Sequence, residues 1–265
     1  VAGPDRRMTG GGETHWRDEG DPNGRPVVFA HALGLDLRMW DRVFALLSPG
    51  LRLIRYDLRG HGLSAVTPGP YSMGGLIRDA ETLLDDLGVR DCIFVGLSVG
   101  GLIAQGLAVK RLDQIRALVL SNTAAKIATK EIWQARIAAV TAGGVDAVAD
   151  AVIERWFPPA VRAGALGQDW RARLARCPTE GYAGAAAAIG GTDFLTPTSG
   201  LRLPTLVIAG SEDRSTPPDL ARELADLIPG ADYQLIRGAG HLPPVDHPAE
   251  FAAHLTGFLR ATGQI

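Results

Sequence analysis

Short β-rich apolar runs recur along the chain, each ending at small or polar residues, and helical patterns separate them. They are Val27-Val28-Phe29-Ala30, Leu51-Arg52-Leu53-Ile54, Cys92-Ile93-Phe94-Val95, Ala117-Leu118-Val119-Leu120 and Leu206-Val207-Ile208-Ala209. Runs of this length suit strands buried on both faces of a parallel sheet. Between them, Leu76 to Leu87 carries apolar residues at helical spacing, with Glu81, Asp85 and Asp86 on much of the opposite face. The alternation predicts an α/β fold: a mostly parallel, doubly wound open sheet with right-handed crossovers, its site at the carboxyl ends of the strands. At 265 residues and 46% hydrophobic, the chain has enough length for one large core and an insertion.

From 123 to 200 the strand signal disappears. Four helical segments are expected there, over 129–141, 145–157, 168–177 and 179–189, with Gly143-Gly144, Pro158-Pro159 and Pro178 stopping them. Residues 1–122 and 201–265 then form the core, and 123–200 a helical cap, or lid, over the carboxyl edge of the sheet. The competing reading is that these helices merely extend the core.

Composition removes several classes of function. Lys+Arg 27 against Asp+Glu 29 gives a net charge of -2, with no basic stripe suited to nucleic acid. No apolar stretch approaches the roughly 20 residues that span a bilayer. Val1-Ala2-Gly3-Pro4-Asp5-Arg6-Arg7 lacks the apolar segment of a signal peptide, so a soluble, cytoplasmic protein is expected. Cys92 and Cys177 read as packing residues rather than a disulfide or a metal site. The number of subunits stays open.

Chemistry concentrates at Gly96-Leu97-Ser98-Val99-Gly100-Gly101, where an apolar run leads in and a helical pattern leads out. A serine at such a corner sits in a strained turn that pushes its hydroxyl out of the sheet, above a helix N-terminus that favours developing negative charge. The motif alone also fits an ordinary glycine-rich loop; its strand-turn-helix context favours a nucleophile. Such a hydroxyl needs a base, and the base needs an orienting acid. Of six histidines, His241 follows the strand-like Tyr233-Gln234-Leu235-Ile236. His247 and His254 fall in or beside the terminal helix, His15 lies in an early strand, and His61 suits a turn. Asp213 follows the Leu206–Ala209 run, with Glu212 as its rival. Ser98, Asp213 and His241 occur in the order of hydrolases of the nucleophile-elbow type. The backbone N–H groups of Leu33 and Val99 are placed to bind an oxyanion, with His31 beside them as a residue that holds the loop.

Together these elements resemble the α/β-hydrolase superfamily over essentially the whole chain, most specifically at Gly96–Gly101, Asp57-Leu58-Arg59-Gly60-His61-Gly62-Leu63-Ser64 and Gly240-His241. Val66 to Ser72, Leu120 to Ile127, Trp133-Gln134-Ala135-Arg136-Ile137 and Glu154-Arg155-Trp156-Phe157 look like the 3-oxoadipate enol-lactonases. The chain departs from that pattern at His31-Ala32, at Val99 and after His241. The resemblance implies opening of an enol-lactone ring in aromatic breakdown, with no metal or organic cofactor, by Ser98, Asp213 and His241. A small-molecule lactone or ester would be its only partner, and no nucleic acid or membrane is expected. Trp133 and Arg136, three apart on one helix, are neighbours suited to a flat ring and its carboxylate, or else to lid packing and a pair with Glu131. Lys126 is a second candidate cation. A general carboxylesterase or another lactonase is the nearest rival, and a non-catalytic small-ligand receptor the third.

Overall fold

Each apolar run becomes a strand slightly longer than its pattern. The computed structural model describes residues 6, 7, 13–47 and 49–265; most of the amino-terminal stretch read for a leader lies outside them. The strands are β1 (Arg6–Arg7), β2 (His15–Gly20), β3 (Arg25–Ala30), β4 (Leu51–Tyr56), β5 (Cys92–Leu97), β6 (Ile115–Ser121), β7 (Thr205–Gly210) and β8 (Asp232–Ile236). They form one sheet in the order β1-β2-β4-β3-β5-β6-β7-β8. From β4 across to β8 every pairing is parallel, whereas β2 runs antiparallel to β4 and β1 antiparallel to β2.

Every residue of β5 and of β7 is buried, so the sheet is covered on both faces there. The helix Met73–Asp86 packs on Val99–Lys110, while Asp41–Phe44 packs on Pro248–Ala261. Ser72 begins the first of these by accepting a 3.1 Å hydrogen bond from the Gly75 N–H, which satisfies one orphan donor of its first turn. β2 reads His-Trp-Arg-Asp-Glu-Gly and grows more exposed along its length, as suits a strand near the antiparallel edge. That composition hid it from an apolar pattern, although His15 falls within it as expected.

Between β6 and β7 no strand occurs, but the helices number six rather than four. They are Lys130–Gly143, Asp146–Trp156, Pro159–Ala163, Ala165–Ala175, Thr179–Gly190 and Leu195–Ser199. Pro159–Ala163 and Leu195–Ser199 are each five residues long, too short to display a period of 3.6. Pro158 follows the end of the preceding helix, where it has no N–H to continue it, and Pro159 opens the next, because a first-turn residue needs no N–H partner. The Lys130–Gly143 and Thr179–Gly190 helices pack on each other, with Trp133, Val140, Tyr182 and Ala186 buried in a cluster continuous with the core of the sheet.

Phe94 on β5 is fully buried at the centre of the sheet. Phe94→Ala is expected to lower unfolding free energy by about 3–5 kcal/mol, read from urea denaturation, because a rigid core collapses only partly into the space left.

Candidate active site

Ser98 joins β5 to the helix Val99–Lys110 with φ +59° and ψ −116°, a left-handed conformation that costs a non-glycine residue free energy. The surroundings hold it there. Its N–H donates to the Ser121 carbonyl at 3.0 Å, and its own carbonyl accepts from Thr123 Oγ1 at 2.8 Å. A Cβ at Gly96 would lie 2.2 Å from the Gly100 oxygen, and one at Gly100 would lie 2.3 Å from the Ala30 oxygen. Only glycine permits that approach of β3, β5 and the helix. Among the described residues the Ser98 hydroxyl has no hydrogen-bond partner, and it lines a cavity.

Asp213 follows β7 and His241 follows β8. The Asp213 Oδ2 accepts from His241 Nδ1 at 2.8 Å, from Asn122 Nδ2 at 2.9 Å and from Thr216 Oγ1 at 2.8 Å. Its Oδ1 accepts the N–H groups of Ser215 at 2.7 Å and Thr216 at 3.1 Å. Burial alone would raise this carboxyl, but the His241 ring, the Asn122 amide and the Ser215 N–H together hold it below the ordinary aspartate value. A carboxylate facing Nδ1 fixes the proton there and leaves Nε2 as the basic nitrogen. Asn122, at the end of β6 with φ +47°, also donates to the Gly240 carbonyl at 3.2 Å, so one amide ties both loops together.

The helices between β6 and β7 hold the same two loops from the other side. The carbonyls of Arg155 and Trp156, at the end of the Asp146–Trp156 helix, have no partners within that helix. They accept the N–H groups of Arg214 at 3.1 Å and His241 at 2.7 Å. A Cβ at Gly240 would reach within 2.0 Å of the Trp156 oxygen, and the Trp156 ring stacks on His241 at 6.3 Å. Neither contact has a signature in the linear pattern.

Other sequence candidates fall elsewhere. Glu212 is exposed, and among the described residues its carboxylate meets only Ser211 Oγ, at 3.4 Å. His15 is buried against Asp57 at 2.7 Å, a second histidine–carboxylate pair outside this cavity. His61 Nδ1 meets the Arg59 carbonyl at 3.0 Å, within the turn expected of it. His247 and His254 lie in or beside the terminal helix, partly exposed, near Asp246 and Glu250.

The cavity, of about 270 Å³, brings Ser98, His241, Leu33, Trp133 and Arg136 together. Leu33 contributes a backbone N–H with no acceptor among the described residues. The Val99 N–H, in the first turn of its helix, has no partner within the helix either. Trp133 donates through Nε1 to the Ile127 carbonyl at 2.6 Å, and the Arg136 guanidinium lies 4.7 Å from its ring centroid. Lys126 instead pairs with Asp193 at 3.0 Å, about half exposed, and is no part of the lining. Arg155, Arg214 and Tyr182, unforeseen from the sequence, also line the cavity. Arg214 had a signal in its place beside Asp213, and Arg155 in the segment Glu154 to Phe157 that carries the resemblance; Tyr182 had none. The lining therefore holds three guanidiniums and no carboxylate, and among the described residues none of the three forms an ion pair. Burial and then the charge of Arg136 lower Arg155 from the usual arginine value. A larger groove, of about 1060 Å³, opens at the amino ends of the strands around Arg25, Ile115 and Pro204, and contains none of these residues.

A mostly parallel sheet that presents a strained serine, with a carboxylate-bound histidine in the same cavity, defines a class of hydrolases. Residues 27–254 match the alpha/beta hydrolase family, and the chain belongs to it. It is a hydrolase, as its relatives are. 3-Oxoadipate enol-lactonase 2 of Acinetobacter baylyi is 32% identical over 227 residues, 85% of each chain. The crystal structure of the enol-lactonase from Burkholderia xenovorans LB400 superposes with a TM-score of 0.92 at 36% identity, covering 97% of this chain and 100% of that one. A thermophilic esterase from Thermogutta terrifontis gives 0.89 at 30% identity, covering 99% and 98%. Among the described residues, no helix is long and apolar enough to cross a membrane.

The depressed Asp213 carboxyl contributes stability that is present above its unfolded-state value and lost as pH falls through the folded value. Asn122→Ala removes one of the groups that depress it. The variant is expected to lose about 1–3 kcal/mol at pH 7. Its deficit should narrow below the usual aspartate range, where Asp213 is protonated in both proteins. Urea denaturation across that range measures this, and a constant deficit would assign Asn122 to packing alone.

Proposed function

We propose that this hydrolase opens a small lactone bearing a carboxylate side arm, 3-oxoadipate enol-lactone, to give 3-oxoadipate. The observation that carries the reading is the unbalanced charge of the cavity: Ser98 and His241 share it with Arg136, Arg155 and Arg214, and no acidic side chain lines it. A neutral ester leaves those guanidiniums without a counter-charge, whereas a carboxylate gives them one. The names of the Acinetobacter and Burkholderia relatives support the same substrate.

In this reading Ser98 Oγ attacks the lactone carbonyl while His241 Nε2 takes its proton, and Asp213 steadies the resulting imidazolium. The Leu33 and Val99 amides receive the oxyanion. As the tetrahedral centre collapses, the ring C–O bond breaks, the His241 imidazolium returns its proton to the departing enol oxygen, and tautomerisation yields a ketone. Water, deprotonated by the same histidine, then releases the acyl group from Ser98. The Trp133 ring and the Arg136 guanidinium hold the lactone and its side arm, with Arg155 beside them. Residues 123–200 act as a cap whose Asp146–Trp156 helix orders the loops of Asp213 and His241, over a core of residues 1–122 and 201–265.

Steady-state kinetics on the enol-lactone beside neutral p-nitrophenyl esters test the proposal. Ser98→Ala should abolish turnover of both and prevent labelling by a fluorophosphonate; a wild-type protein that resists the label would be a receptor. A charge-assisted hydrogen bond contributes about 1.5–3 kcal/mol, so Arg136→Ala should lower kcat/KM for the lactone roughly 10- to 100-fold. Turnover of the neutral esters should change by less than about twofold. Equal losses on both substrates, or none, would remove the carboxylate clamp and leave a general carboxylesterase.

A further inference from the structure

His31 stands at the start of the loop that carries Leu33, and it is fully buried. Both of its ring nitrogens are engaged. Nε2 faces the backbone N–H of Leu58 at 2.9 Å, and Nδ1 faces the carbonyl of Ala32 at 2.8 Å. The backbone partners settle the tautomer. An N–H can only donate, so Nε2 is the acceptor; a carbonyl can only accept, so Nδ1 carries the proton. Burial lowers His31 from its ordinary value, and it pushes the neighbouring His61, whose ring centroid lies 5.4 Å away, down to about 4. The His31 ring is therefore neutral at physiological pH, in agreement with that assignment.

The accepting carbonyl belongs to the Ala32–Leu33 peptide. A trans peptide is planar and its C=O and N–H point in opposite directions, so whatever fixes the carbonyl also aims the N–H. The Ala32 carbonyl is fixed twice, by His31 Nδ1–H and by the Leu35 N–H at 3.2 Å, while the Ala32 N–H turns onto Met39 Sδ at 3.5 Å. The Leu33 N–H is left without an acceptor among the described residues, at the wall of the cavity that holds Ser98.

We propose that His31 is a positioning residue of the oxyanion site: it clamps the Ala32 carbonyl against the Leu58 amide and so aims the Leu33 N–H at the developing negative oxygen. The inference rests on the acyl-transfer reading of Ser98. Losing an oxyanion donor outright costs roughly 10²–10³ in rate, so a mis-aimed one should cost at least about tenfold.

The test uses the intact chain and an alkyl boronic acid, which bonds to Ser98 Oγ as its proton passes to His241 and places a negative oxygen in the oxyanion site. His31→Phe keeps an aromatic ring but no nitrogen. Its affinity for the boronic acid and its kcat should both fall at least about tenfold, while KM and the affinity for a simple carboxylate stay within about twofold. His31→Asn restores an N–H donor near the Ala32 carbonyl and should recover part of both. Equal losses for boronic acid and carboxylate, or an unchanged boronic-acid affinity, overturn the inference while the acyl-transfer reading stands. A wild-type protein that forms no adduct at Ser98 overturns that reading and the inference together. Nitrogen-15 NMR of the wild-type ring is a check that no folding defect can obscure: the Nδ1–H tautomer is expected, and the Nε2–H tautomer would end the proposal.

Discussion

Three backbones meet almost without side chains where Ser98 sits, and the rest of the site depends on that contact. Gly100 rests on the Ala30 carbonyl and Gly96 on the Gly100 carbonyl, at separations that exclude even one extra carbon. The end of β3, the end of β5 and the first turn of the following helix are thereby locked in one arrangement. Two consequences follow. Ser98 keeps a conformation it would otherwise leave, and the loop beyond Ala30, with Leu33 on it, is delivered to the same spot as the helix N-terminus. Strain at one residue is maintained by close packing at its neighbours, which cannot relax separately.

Loops after parallel strands have no ladder to hold them, and here hydrogen bonds from other elements take that part. Asn122 reaches from β6 to the Asp213 carboxylate and to the Gly240 carbonyl. From the opposite side, the carbonyl end of the Asp146–Trp156 helix receives the N–H groups of Arg214 and His241. A helix terminus needs donors for its last carbonyls, and each of these loops has one to give. The satisfied helix end and the oriented histidine are one arrangement. The helices between β6 and β7 thus contribute backbone acceptors and the Trp156 ring to the surroundings of His241.

Charge in the cavity follows a different logic. Arg111 and Arg171 sit among several carboxylates, whereas the half-buried Arg136 and Arg155 and the exposed Arg214 line a cavity without any. Arg136 lies over the Trp133 ring, whose face partly offsets its lost hydration. Guanidiniums gathered in this way repel one another, and the charge of Arg136 accordingly helps lower Arg155 from the usual arginine value.

Local chemistry in the chain was sufficient for the strands, the turn around Ser98 and the places of Asp213 and His241 after β7 and β8. Apolar runs, glycine spacing and the order of polar residues after strands each act within a few residues, and so they can be read in one dimension. Sequence alone also marked Trp133 and Arg136 as neighbours, since i and i+3 share a helix face whatever surrounds them. It did not reveal Arg155 and Tyr182 at the cavity, the Asn122 bridge, or the carbonyls of residues 155 and 156 as partners of the loops of Asp213 and His241. Nor did it separate Lys126, bound to Asp193, from the arginines that line the cavity. Those facts depend on which surfaces meet when helices distant along the chain pack on the sheet, and hydrogen bonds to backbone carbonyls carry no residue code. Tertiary structure decided them because it alone sets the distances between groups that the chain keeps apart.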